Sequence, residues 1–579
     1  MPSSNNTATR DRRRPFDAVL AGLNGPFVLE NAPRLRSAPT GRPSTRVVAP
    51  LVIAGLAVLL FLPLCGRHLY PDQDIPIGLA LADLARGGWS PATLVYPSAW
   101  TNLLRGVFRL WLLVAPLDSG TVDDLLALWC SDPWRLRLVP RALAALAGLA
   151  TLAATLRLGT IAGGPWGGVL ATIYLGTAAG FVREHAHGML DAPAAAAGMW
   201  ALVFAARHVV TGASPSALLA GLCGGLALSF KYNLALVAPG ILAGLLLAPG
   251  TRRTGLAAAL VGGLLAVLAT SPGLVLEPLR ALDELTTFAA RQASVLRAAT
   301  TDGNRLRTAF VLGLGWPVLV LAGLGGAVAI WKRERILAPL GAFVLGYGTL
   351  LAASPLVLNR YALPLMAPVA VLAARAVVAI PARWARLLLT AAALATGLPE
   401  TIGQVRLTLA EDTRVAAARW IEAHLPGDTP LYLTSGPYAA PDLPAAALDP
   451  FSQIPGGLGR PLPARCTHRR PLRAIPLLPR SGGQLAAMVS NGVVITAEPP
   501  AAVFTPLSTP SALLDLLRAH GEEIVAFRSH EPAGRRLVWE PFDQNYLPVA
   551  GAIALDHPGP TIRLWKIAPP SPDHPRSSM

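Results

Sequence analysis

Long apolar runs separated by short polar joints dominate this chain of 579 residues. A membrane-spanning helix needs roughly 20 consecutive apolar residues. The pattern offers such runs at 47–65, 138–157, 164–182, 191–210, 215–230, 232–249, 255–275, 309–331, 336–356, 361–380 and 387–402. The pattern therefore predicts an α-helical polytopic membrane protein of about eleven transmembrane helices. Segment 97–117 is apolar enough to compete as a twelfth span. Its Arg105 and Arg109 fall on one helical face, which also fits a helix lying at the interface.

Loop charge decides the count. With eleven spans, the short loops on one side hold Arg157, Arg207, Arg252, Arg253, Lys332, Arg333, Arg335, Arg383 and Arg386. The short loops on the other side hold only Arg183, Lys231 and Arg360. Cations concentrate on the cytoplasmic side of membrane proteins. The N-terminus is thus expected in the cytoplasm and the C-terminal region outside. A span at 97–117 would invert everything after it.

The remaining segments set the domain organisation. Residues 1–46 carry eight Arg against three acids and read as a disordered basic cytoplasmic tail. Residues 47–402 form the membrane domain. Its two long outer loops are 66–137, with interfacial helices near 76–87 and 97–117, and 276–308, with an amphipathic helix near 280–298. Residues 403–567 read as a small α/β domain. Helices are expected over Glu411–Leu425 and Ser511–His520, and strands over Pro430–Thr434, Gly492–Ala497, Glu522–Phe527 and Thr561–Ile567. The Pro-, Gly- and Arg-rich stretch 435–482 is expected to be loop, and 568–579 a disordered tail.

The net charge of +16 does not point to nucleic acid, because the arginines sit at helix ends and in loops rather than on a basic domain. Attraction to anionic lipid accounts for it. The bias of 46 Arg to 3 Lys suggests a GC-rich bacterial source. Cys65, Cys130, Cys223 and Cys466 have no metal-ligand spacing. Cys65 and Cys130 both fall on the expected outer side, where a disulfide between them could form.

Candidate chemistry collects on that outer side. Tyr70-Pro71-Asp72-Gln73-Asp74 follows the first span. A carboxylate beside a bilayer is costly unless it is solvated or used. Asp72 could activate an acceptor hydroxyl or ligate a metal; the plainer reading is a solvated loop acid. Arg183, His187 and Asp191 are spaced four apart and share one face if the helix continues. Lys231 and Tyr232 sit between two spans, as do Arg360 and Tyr361. Lysine can hold a phosphate as a point charge and arginine can grip one with two hydrogen bonds; snorkelling to the interface is the structural alternative. The C-terminal domain contains no G-x-S-x-G, H-E-x-x-H or P-loop motif.

In this order the motifs resemble the GT-C superfamily of membrane glycosyltransferases, especially protein O-mannosyltransferases and lipid A aminoarabinose transferases. Their acidic pair after the first span is matched by Asp72-Gln73, with Asp74 following. Gly87-Gly88-Trp89 and Tyr96-Pro97 come next, then Arg141, Asp191, the Gly224 to Lys231 segment, and Arg360-Tyr361 with Pro364. The tail resembles theirs at Ala418-Arg419-Trp420-Ile421, Leu425-Pro426 and Pro558-Gly559-Pro560-Thr561-Ile562. The resemblance covers roughly residues 47–567.

The resemblance implies transfer of a monosaccharide from a polyprenyl-phosphate carrier to a lipid, glycan or protein acceptor on the outer face of a bacterial inner membrane. It implies Asp72 as catalytic base and Lys231 and Arg360 on the lipid phosphate. Asp74, Arg141, Arg183, His187, Asp191, Tyr232 and Tyr361 complete the expected substrate-binding set. Two departures stand out. Gln73 replaces the usual Glu, and 276–308 lacks the His that binds metal in some relatives. No metal ligand is therefore assigned, and a divalent metal stays open as a cofactor. Two other readings remain: a transporter or flippase for lipid-linked glycan, and an inactive scaffold that keeps the fold.

Overall fold

The computed structural model describes residues 45–567 other than 88–90, 92, 115–119, 251, 299–307, 355–356, 435–438, 444–471, 475–484, 486–488, 490–491, 499–508, 530–536 and 541–545. The expected tails, save residues 45 and 46, lie outside the described residues, as do Gly88, Trp89 and Cys466.

The apolar runs form helices. In order they are α1 Thr45–Phe61, α2 Asp74–Arg86, α3 Ala99–Val114, α4 Val122–Ser131, α5 Pro133–Gly176, α6 Ala179–Ala186, α7 Asp191–Thr211 and α8 Ser214–Phe230. They continue as α9 Ala238–Leu247, α10 Arg252–Thr270, α11 Pro278–Ala298, α12 Trp316–Trp331, α13 Ala338–Ala353, α14 Asn359–Ala379 and α15 Arg383–Leu409. All eleven expected runs lie on helix. Among the described residues, six helices are long and apolar enough to cross a membrane, and three shorter apolar helices accompany them. The chain is a mostly helical polytopic membrane protein with a small C-terminal sheet.

Two expected spans, 138–157 and 164–182, run through one long element. α5 is broken at Gly163 and at Gly164, where φ is +71°, and Pro165 opens its second half. Glycine tolerates the left-handed conformation and proline lacks the N–H that the first turn would leave unpaired. Elsewhere small residues let helices approach closely, as packing in lipid favours. Gly221 and Gly225 of α8 face α10 so tightly that a Cβ on Gly221 would lie 1.9 Å from the Ala259 carbonyl oxygen.

Segment 97–117 becomes α3, whose Trp100, Leu104 and Phe108 are buried while Leu110 and Leu113 are exposed. Its two arginines do not behave as a pair: Arg105 is buried 3.8 Å from Asp83 of α2, and Arg109 is exposed.

The C-terminal region folds as a five-stranded sheet of order β2-β1-β3-β5-β4, with helices α16 Thr413–His424 and α17 Ser511–His520. The strands are β1 Leu431–Leu433, β2 Leu472–Ala474, β3 Val493–Glu498, β4 Gly521–Phe527 and β5 Thr561–Ile567. β1 pairs in parallel with β2 and β3, while β5 pairs antiparallel with β3 and β4. α16 covers one face through Ala417 and Ile421 against Val493 and Ile495; α17 covers the other through Leu513 and Leu517 against Val494 and Trp565. β2 lies within the stretch expected to be loop. It is three residues long and gains its order from pairing with β1, which local sequence does not reveal.

A further segment around 547–555 leaves the sheet and packs on α15, placing Leu547, Ala552 and Leu555 against Leu407. Cys130 is disulfide-bonded and Cys65 is a free, exposed thiol, so the expected Cys65–Cys130 pair does not form.

Candidate active site

Four arginines from three helices enclose the segment from His68 to Asp74. Arg414 of α16 donates to the Leu69 carbonyl at 2.9 Å, while the Leu69 N–H donates to Asp412 at 3.1 Å. Asp412 also caps α16, accepting from the Arg414 N–H at 2.9 Å. Arg141 of α5 donates to the His68 carbonyl at 2.6 Å and to the Gln73 side chain at 2.9 Å. Arg137 of α5 grips both oxygens of Asp74, at 2.9 and 2.7 Å, and both oxygens of Asp442 beyond it. Arg360, near the start of α14, donates to the Tyr70 hydroxyl at 2.9 Å and to Asp72 at 3.1 Å. The motif is therefore held by the helical domain on one side and the sheet domain on the other.

Within this frame Asp72 differs from its neighbours. Gln73 and Asp74 are buried and turned to the interior arginines, whereas the Asp72 side chain keeps 29% of its surface exposed. Asp74 thus does not replace the missing Glu at the open site. Burial raises its pKa, with Arg137 opposing. Arg141 likewise faces Gln73, His68 and the ring of Trp134, 4.6 Å away, rather than the opening. Both residues, expected to bind substrate, face these interior partners in the structure.

A second ion pair lies beside the first. Lys231 pairs with Asp191 at the start of α7, and its Nζ stands 4.3 Å from the centroid of the Tyr361 ring. The Arg360 guanidinium stands 5.8 Å from the same centroid. One aromatic ring thus brings two cations together, each answered by a carboxylate. A cation near a ring face is favoured by the quadrupole of the π system. The two halves of the site come from sequence positions more than a hundred residues apart and meet because α7, α8 and α14 start or end at the same level.

Tyr70 is fully buried and stacks on His187, with ring centroids 4.2 Å apart and planes 6° from parallel. His187 is in turn 3.6 Å from Glu184. The expected helical ladder of Arg183, His187 and Asp191 does not form: α6 ends at Ala186, and Gly188 adopts φ +69°. A Cβ there would lie 2.9 Å from the Arg141 backbone nitrogen. Arg183 therefore points elsewhere, to Glu184, to Glu540 at 3.4 Å and to the Leu547 carbonyl at 3.2 Å. Tyr232 also serves as a support, its hydroxyl donating to the Leu94 carbonyl at 2.6 Å.

Three contributors were not assigned from sequence. Tyr70 orients Arg360; its position two residues before Asp72 was the available signal. Tyr96 stands in the first outer loop, its ring edge-on to Phe288 at 5.8 Å. Desolvation raises its hydroxyl above the usual phenol range, and Arg360, Tyr361, Asp72 and Asp191 are the groups it senses. Glu540 accepts from the Asn359 N–H at the first turn of α14, next to Arg360. It stands between Trp539 and Pro541 in a largely apolar stretch, and only tertiary structure reveals its partner.

Among the described residues no group of three or more His, Cys, Asp or Glu side chains could hold a metal ion. At the cluster both carboxylates already meet cations. The donor set does not fit a bound divalent ion, and no step below runs through one.

No family model and no curated protein matches the sequence. Solved structures do match. ArnT from Cupriavidus metallidurans, bound to undecaprenyl phosphate, is 15% identical with a TM-score of 0.46 over 90% of this chain and 98% of that one. The Archaeoglobus fulgidus oligosaccharyltransferase, in complex with Zn and sulfate, is 12% identical with a TM-score of 0.43 over 85% and 72%. The arabinofuranosyltransferase AftD from Mycobacteria is 14% identical with a TM-score of 0.42 over 91% and 42%. These are GT-C superfamily proteins, the group whose motif order the sequence resembles. The chemistry is argued from this chain's own residues.

Proposed function

We propose that this protein is a membrane glycosyltransferase that moves a monosaccharide from a polyprenyl-phosphate carrier to a hydroxyl-bearing lipid, glycan or protein on the outer face of the membrane. The observation that carries this reading is the pairing of Asp72 with Arg360 beside the Asp191–Lys231 pair, around one tyrosine ring.

The arrangement has the parts that the reaction needs. Arg360 and Lys231 would hold the phosphate, stabilising charge on the leaving oxygen as the sugar–phosphate bond breaks. A doubly or singly charged phosphate competes with Asp72 and Asp191 for those cations. When Arg360 turns to the phosphate, Asp72 is released to accept the acceptor's proton. Base activation would then follow donor binding, which limits hydrolysis or proton loss in the empty site. Tyr70 and His187 keep Arg360 within reach of both partners.

The charge pattern of the loops supports an outer-face site and a cytoplasmic N-terminus. A transporter would place its ionisable residues near the bilayer midplane in broken helices. Here the paired charges stand at helix starts and ends, which favours chemistry at the interface.

The test is turnover in liposomes supplied with a panel of polyprenyl-phosphate monosaccharides and candidate acceptors. Sugar transfer with release of polyprenyl phosphate supports the reading. Movement of intact donor across the bilayer without cleavage would support the transporter instead.

A further inference from the structure

Residues Thr93–Tyr96 are held by a set of anchors that the proposed reaction does not use. Leu94 is completely buried, and its side chain would be 3.0 Å from a Cβ on Gly273. Its carbonyl accepts from Tyr232, the neighbour of Lys231. Its N–H donates to Glu284 of α11 at 2.6 Å, and Thr93 Oγ1 donates to the same carboxylate oxygen at 2.7 Å. The Val95 N–H then donates to Thr93 Oγ1 at 3.1 Å. Arg280 braces the arrangement, donating to the other Glu284 oxygen at 2.8 Å and to the Pro91 carbonyl at 3.2 Å. Two residues past Leu94, Tyr96 meets Phe288 of α11 edge-on at 5.8 Å.

One carboxylate thus organises three consecutive residues of a segment without regular secondary structure. Such a segment would otherwise lose its backbone order readily, because few of its groups pair with one another. A carboxylate accepting several hydrogen bonds forms the stronger, charge-assisted kind. α11 is otherwise loosely docked, with Leu279 and Leu282 exposed. The Glu284 contacts are therefore a principal tie between that helix and the site.

We propose that Glu284 is a positioning residue: it fixes the Thr93–Tyr96 strap that Tyr232, the neighbour of Lys231, ties to the site, and so sets the Tyr96 hydroxyl where it can hydrogen-bond the polar head of the bound donor. The ligand class, a sugar phosphate, rests on the function proposed above; the anchoring of the strap does not.

The experiment compares wild type with Glu284→Ala, Glu284→Gln, Tyr96→Phe and the Glu284→Ala/Tyr96→Phe pair, with Asp283→Ala as a control for an exposed charge one residue away. Amide exchange is read on the peptide that contains Leu94 and Val95. In Glu284→Ala it should rise about tenfold or more, as loss of a charge-assisted hydrogen bond allows. Glu284→Gln keeps an acceptor and should restore most of the protection; Asp283→Ala should change nothing. Transfer should fall about tenfold in Glu284→Ala and in Tyr96→Phe, and the pair should lose no more than the worse single change. Unchanged exchange in Glu284→Ala, or losses of transfer that multiply in the pair, would overturn the proposal. If wild type transfers no sugar at all, the function fails, while the exchange still decides whether Glu284 anchors the strap.

Discussion

The Asp72 carboxylate accepts a hydrogen bond from the Arg360 guanidinium at 3.1 Å, and the same Nη1 donates to Tyr70 at 2.9 Å. In the empty site the proposed base and the proposed phosphate ligand therefore hold one another. While it accepts from the guanidinium, that carboxylate oxygen is not free to take a proton from an acceptor hydroxyl. The pair acts as a latch that an incoming phosphate would open.

Both cations should consequently matter for the donor. Arg360→Ala and Lys231→Ala are each expected to weaken donor binding about 10- to 100-fold, since hydrogen bonds to charged groups contribute about 1.5–3 kcal/mol. Arg360→Lys should not restore function, because an ammonium cannot bond Tyr70, Asp72 and a phosphate with a planar fork. Isothermal titration with the lipid-phosphate product in detergent would measure this directly.

Arg137 should matter for stability rather than chemistry. It is buried between Asp74 and Asp442 with hydrogen bonds to both carboxylates, joining α2 to the segment that follows β1. Replacing it by Met strands two carboxylates with no cation. Breaking a buried pair in this way costs about 3–5 kcal/mol. A lowered melting midpoint in detergent is expected, with residual activity at low temperature. Asp74→Asn should be milder, because burial already raises the Asp74 pKa, the amide oxygen can still accept from Arg137, and Arg137 keeps Asp442 as its partner.

Glu540 should link the C-terminal region to Arg360. It accepts from the Asn359 N–H and lies 3.4 Å from Arg183. Glu540→Gln keeps an acceptor for the helix start and should cost little. Glu540→Ala leaves a buried N–H unmet, costing about 1–3 kcal/mol, and should also raise the donor KM by letting Arg360 shift. A change in stability with an unaltered KM would show that the contact only supports the fold.

Acid should destabilise the fold through His185. Its buried ring packs on Phe181 with a centroid distance of 4.2 Å, and burial pushes its pKa from 6.5 down to about 4. Burial also lowers His68 well below the usual histidine range. The unfolded chain therefore takes up protons at a higher pH than the folded one. Stability is complete above about pH 6.5 and falls as pH drops towards 4. Each pKa unit corresponds to 1.36 kcal/mol, so His185 alone accounts for about 3 kcal/mol across that window. His185→Gln should flatten part of the slope in melting experiments run from pH 7 to 4.

Much of this was readable from the chain. Helices follow hydropathy because lipid leaves the backbone no other way to satisfy its hydrogen bonds, so the eleven apolar runs all became helix. Asp72, Lys231 and Arg360 stood out because charge at a helix end needs a reason. Their pairing with Asp72 or Asp191 was not readable, since spacing in sequence says nothing about which helix ends meet. Asp74 and Arg141 looked equivalent to Asp72 and Arg360 in sequence, yet they face inward; two residues along a tight turn change which side a carboxylate takes. Gly188 ended a helix that fourfold spacing alone would have continued. Glu284, Glu540 and Arg137 reach Thr93, Asn359 and Asp74 across long sequence separations, and local pattern carries no trace of those contacts.

The most direct measurement is sugar transfer by wild type and Asp72→Asn from the donor that wild type accepts, with binding of the lipid-phosphate product measured in parallel. The account predicts that Asp72→Asn lowers the transfer rate by about 10²–10⁴ while product binding is retained or strengthened, because Arg360 no longer has a carboxylate to release. Transfer by Asp72→Asn at the wild-type rate would contradict the account.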